Sequence, residues 1–98
     1  MRQKQHCIDT IIRKEERHDE KNSYNYELCM CRGENVANFR IPLYSIKVSM
    51  IDSEGNDTFA EVKDAFADAG KAILFYEKIV RNLATPIDLA YILEDELR

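Results

Sequence analysis

The 98 residues carry 14 basic and 18 acidic side chains, for a formal charge of −4, and 45% of them are apolar. That is too apolar for a disordered polyelectrolyte and long enough for one modest core, so 1–98 is read as a single folded domain with residues 1–5 frayed. The longest apolar run, Ala72 to Tyr76, falls far short of the roughly 20 residues a membrane-spanning helix needs, and Asp9 and Arg13 interrupt any signal-peptide core.

In chain order, Cys7 to Arg13 alternates with period two and is rich in β-branched residues, which predicts a first strand. The wholly polar Glu16 to Asn22 predicts a turn. Beyond it Tyr24, Tyr26, Leu28 and Met30 alternate with Asn25, Glu27, Cys29 and Cys31, a second strand that closes a hairpin. Pro42 suits the start of a third strand, in which Tyr44, Ile46, Val48 and Met50 line one face. In all three strands the apolar set falls on even numbers, so even residues are expected to face the core.

The segment from Thr58 to Ala67 fits two periods. Ala60 and Val62 alternate with Glu61 and Lys63 as in a strand, whereas Phe59, Val62, Phe66 and Ala69 recur at helical spacing. A fourth strand is preferred. From Asp68, apolar residues Ile73, Tyr76, Val80 and Leu83 predict a helix ending near Arg81. Thr85-Pro86-Ile87-Asp88 then supplies an N-cap, a first-turn proline and a first-turn acid for a second helix. Its expected core stripe is Ile87, Ala90, Leu93 and Leu97, broadened by Leu89, Tyr91 and Ile92. The predicted fold class is α+β: an antiparallel β-meander of three to four strands with two C-terminal helices packed on one face.

The strand, turn and strand before an apolar helix, then Leu83-Ala84-Thr85-Pro86-Ile87-Asp88-Leu89 and Leu93-Glu94-Asp95-Glu96-Leu97, resemble a family of small uncharacterised bacterial proteins, a domain of unknown function. The resemblance covers residues 40–98. It implies a bacterial, cytoplasmic, stand-alone domain and carries no activity.

Cysteine offers the one grouping with chemical potential. His6-Cys7 and Cys29-Met30-Cys31 contain zinc-ligand types, but a Cys-x-Cys on a flat strand lacks the turn that aims thiolates in closed zinc sites. If the hairpin centres near residue 19, Cys7 and Cys31 become cross-strand neighbours, within reach of a regulatory or accidental disulfide that a reducing cytoplasm disfavours. The simplest reading treats all three as small apolar residues, and their odd number suits a reducing cytoplasm. On that reading Cys7, Ile11, Cys29, Cys31 and Ile51 share the sheet face away from the helices and form a candidate interface with a second copy or a partner protein.

Basic residues are interleaved with acids, and residues 41–98 carry six basic against eleven acidic side chains, which disfavours nucleic acid. Neither histidine has a neighbouring nucleophile motif and three scattered glycines make no phosphate loop, so no catalytic, cofactor or metal residues are expected. The expectation is a non-enzymatic protein-protein interaction or regulatory module that self-associates. The alternative is a thiol-based metal-binding or redox-sensing domain, and a weaker one an enzyme with a pocket near Tyr44 and Tyr76.

Overall fold

A computed structural model describes residues 9–32 and 42–96. They form β1 (Asp9–His18), β2 (Ser23–Arg32), β3 (Pro42–Ile51), β4 (Asp57–Phe66), α1 (Ala69–Arg81) and α2 (Pro86–Glu96). The strands make one antiparallel sheet in the order β1-β2-β3-β4, and both helices contact the same sheet. This is the α+β meander with two C-terminal helices that the periodicity predicts.

Two acidic turns join the hairpins. Asp19 Oδ1 accepts hydrogen bonds from the Lys21 and Asn22 amides at 2.8 and 2.7 Å. Asp52 Oδ1 likewise accepts from Glu54 and Asn56 at 2.9 Å each. The second turn needs Gly55, whose φ of 87° is a conformation that side chains disfavour. Because the first turn occupies only the residues after His18, β1 runs beyond the expected stop near Arg13, its polar residues pairing with β2.

Even parity holds through β2 and β3. Tyr24, Tyr26 and Leu28, with Tyr44, Ile46 and Val48, enter the core, where Phe75, Tyr76, Ile79 and Leu89 from the helices meet them. In β1 parity fails partway. Ile11 pairs with Cys29 but Arg13 with Leu28, so Ile12 is an extra residue in a bulge. Beyond it Arg13, Glu15 and Arg17 take the helix side of the sheet, the face assigned to even residues by alternation alone.

The ambiguous segment is strand: Ala60 pairs with Val48 and Val62 with Ile46, which leaves Phe59 exposed. β4 also breaks register, since Tyr44 faces Phe66 while Ile46 faces Val62. The excess residues arch outward at Asp64, whose φ is 54°. Its amide donates to the buried Ser45 hydroxyl at 2.9 Å, which satisfies a group the sheet ladder has lost. Two extra residues preserve parity, so Phe66 still reaches the core.

Helix α1 starts at Asp68, whose Oδ2 accepts from the Lys71 amide at 2.9 Å. It ends where Leu83, at φ 51°, donates to Val80 O and Ala84 donates to Ile79 O, the paired bonds that close a helix through a left-handed residue. Thr85 Oγ1 then accepts from the Asp88 amide at 3.2 Å and Asp88 Oδ2 from the Thr85 amide at 3.1 Å, a reciprocal cap for α2.

Candidate interaction surface

Apolar residues surround most of α2, yet only one side of a helix can face a sheet. The side that does carries buried Pro86 and Leu89 with half-buried Ile92 and Leu93. Ile87 and Tyr91, one turn apart, are 73% and 70% exposed. The expected core stripe headed by Ile87 is therefore corrected: at 100° per residue, Leu89 and Ile87 lie on opposite sides of the helix, and the sheet takes Leu89. Glu94, Ile87, Tyr91, Asp95 and Asp88 follow one another around the outer arc, so two apolar side chains are flanked by three carboxylates.

No lysine, arginine or histidine occurs from Asn82 to Glu96; Arg98 follows, outside the described residues. The last turn of α2 has acids where the helix dipole favours cations. Lys78 from α1 meets Glu96 at 3.3 Å. Glu94 and Asp95 are exposed.

The open face of the sheet is built differently. Lys14, Glu27, Lys47 and Glu61 lie in register across its centre, one per strand, with alternating sign. Lys14 Nζ and Glu27 Oε2 are 4.0 Å apart. Covering this row would desolvate four charges, a cost that apolar contact at its margins must exceed.

The expected interface residues separate on this face. Cys7 lies outside the described residues, so the alternative Cys7–Cys31 pairing and any zinc site using His6 or Cys7 lie there too. Ile11 is 53% exposed and sits opposite Cys29, which is only 1% exposed; Cys31 is also buried and sits opposite Asp9. Ile51 is 45% exposed but belongs to the far end, paired with Ser23. Ser45, the β3 partner of Cys29, is six residues from Ile51, about 20 Å along an extended strand. The structure thus joins Ile11 with Cys29 and sets Ile51 apart, beside exposed Phe59. Cys31 is disulfide-bonded. Among the described residues no group of three or more His, Cys, Asp or Glu is gathered for a metal.

The tyrosines tie the core together. Tyr26 OH donates to Ala84 O at 2.9 Å, and Tyr76 OH to Tyr26 O at 3.3 Å. Burial pushes both phenols well above their ordinary range. Tyr24 OH donates to Asp19 Oδ2 at 2.7 Å, which holds the Asp19 carboxyl below its ordinary 3.8 and raises the phenol. The backbone amide of Asn56 and its neighbours do the same for Asp52.

Both carboxyls thus bind protons more weakly folded than unfolded. The stability they contribute is complete above the unfolded value and is lost as pH falls through the lower folded one. Urea titrations from about pH 5 downward should show a steeper loss for the native chain than for Asp19→Asn/Asp52→Asn. Equal slopes would mean that the turn bonds leave no mark on acid stability.

At least two depressions flank the helices among the described residues. One, of about 510 Å³, lies where β4 meets α1 and is lined by Phe66, Asp68, Lys71, Leu74 and Glu96. The other, of about 570 Å³, is an open cleft between the bulged part of β1 and the end of α1, lined by Glu15, Arg17, His18, Glu77 and Arg81. Tyr44 and Tyr76 line neither of these two. In the cleft Arg17 Nη2 meets Glu15 Oε2 at 3.0 Å. No helix is long and apolar enough to cross a membrane among the described residues.

A four-stranded antiparallel meander with two following helices on it defines an α+β protein. The chain belongs to a family of unknown function (DUF6514), whose model matches residues 6–98, well beyond the C-terminal segment that carried the resemblance. No curated protein and no solved structure matches the chain.

Proposed function

We propose that the protein is a non-enzymatic interaction or regulatory module that binds another protein through the outer face of α2. One observation carries this reading: Ile87 and Tyr91 are left mostly in water, one turn apart, on a helix whose opposite side is anchored in the core. Aromatic and large aliphatic side chains in such pairs are the usual anchors of helix recognition. The buried tyrosine hydroxyls are engaged with backbone carbonyls, which favours a structural role for them over acid-base chemistry. Of the earlier candidate interface, Ile11 and Ile51 remain accessible, whereas Cys29 and Cys31 are buried within the chain.

The test compares affinity capture by the native chain and by Ile87→Ser/Tyr91→Ser, both checked for the same melting temperature. A protein retained by the first and lost from the second supports the reading. Identical captured sets sink it.

The Cys31 disulfide favours a second reading, a redox-responsive thiol domain. Denatured, unreduced protein should then titrate fewer than three thiols. Three reactive thiols would remove it.

A further inference from the structure

The partner's chemistry follows from the charges around Ile87 and Tyr91. Asp88, Glu94 and Asp95 flank the apolar pair on the outer arc, and α2 itself offers no cation. Two of these acids stand in the last helical turn, against the dipole, where a positive group from outside would be favourable twice: toward the carboxylates and toward the helix end. Because α2 remains helical through Glu96, Glu94 and Asp95 belong to its ordered surface.

A second copy of the chain fits poorly. Antiparallel packing of two such faces sets Asp88 of one against Glu94 and Asp95 of the other, and parallel packing sets each acid beside its own counterpart. Either arrangement opposes like charges across an apolar contact. Anionic membranes and nucleic acid are repelled for the same reason.

We infer that the outer face of α2 receives a basic amphipathic helical segment of a partner protein, whose apolar side chains cover Ile87 and Tyr91 while flanking lysines or arginines meet Asp88, Glu94 and Asp95. This rests on the reading of α2 as a docking face and adds the chemical class of what docks. The segment's cations supply what α2 lacks, and its apolar stripe supplies the area.

The experiment titrates the full chain into two labelled helical peptides of about 20 residues with the same leucine stripe, one flanked by lysines and the other by glutamates. The lysine peptide should bind at least about tenfold more tightly, and its affinity should fall about tenfold between low and high salt. Ile87→Ser/Tyr91→Ser should lose at least about tenfold. Glu94→Gln/Asp95→Asn should lose severalfold while melting no lower than the native chain, since it removes acids from an unfavourable position.

Equal binding of the two peptides, or lysine-peptide binding untouched by Glu94→Gln/Asp95→Asn, overturns the basic partner and leaves the interaction module standing. Binding of neither peptide also overturns the inference. The module reading is judged separately, by the capture experiment with Ile87→Ser/Tyr91→Ser.

Discussion

Leu89→Ala is expected to destabilise the protein by about 3 kcal/mol, seen as a fall in melting temperature on the order of 15 °C. Leu89 is fully buried and is the principal anchor of α2 in the core. Truncating it removes the transfer energy of three carbons and leaves a cavity between helix and sheet, which the opposing strands cannot collapse to fill. The companion change Tyr91→Ala, two residues on, should cost less than about 0.5 kcal/mol because Tyr91 stands mostly in water. Urea unfolding of the two variants measures the contrast. Similar losses would mean that α2 is not held by the side assigned to it.

Tyr26→Phe should cost about 2 kcal/mol, although it alters a single oxygen. The Tyr26 hydroxyl crosses from the central sheet to Ala84 O, in the link between α1 and α2. Removing it strands a buried carbonyl, and the penalty for a buried group without a partner exceeds the net worth of an ordinary hydrogen bond. Thermal and urea denaturation of Tyr26→Phe beside Tyr91→Phe checks this, the second being an exposed hydroxyl that should change little. A loss below about 0.5 kcal/mol for Tyr26→Phe would mean that water replaces the bond and the link is looser than its geometry.

These two side chains also mark how far sequence reasoning reaches. Tyr26 is placed in the core by simple alternation, since its parity matches Leu28 and both point inward. Nothing in the sequence pairs its hydroxyl with Ala84, because that contact spans 58 positions and depends on how the helices cross the sheet. Leu89 and Ile87 illustrate the harder case. A helix apolar on nearly every side offers no periodic cue to choose its buried face. Its apolar excess was itself the available signal that one face would be left over.

The bulge at Ile12 is a further limit. Alternation cannot register an extra residue, because the pattern Ile11-Ile12 reads equally well as continuing strand. One inserted position moved Arg13, Glu15 and Arg17 to the helix side, so the parity argument that works for β2 and β3 fails in the second half of β1. In β4 the outward arch at Asp64 adds two residues, and the parity survives.

The amino-acid order by itself determined the α+β class, the types of β1 to β3 and of both helices, a polar turn between β1 and β2, and the helix boundaries, since each is set by interactions within a few residues of chain: side-chain periodicity, carboxylate bonds to nearby amides, and proline or threonine at a helix start; that 57–66 is a strand was settled by its pairing with β3. Tertiary structure alone decided which side of α2 meets the sheet, that Cys29 and Cys31 are buried while Ile11 and Ile51 are set apart on the open face, and that Ile87 and Tyr91 are left in water. Those outcomes depend on how the elements compete for one limited apolar surface, and that competition is settled by packing between residues distant in the chain.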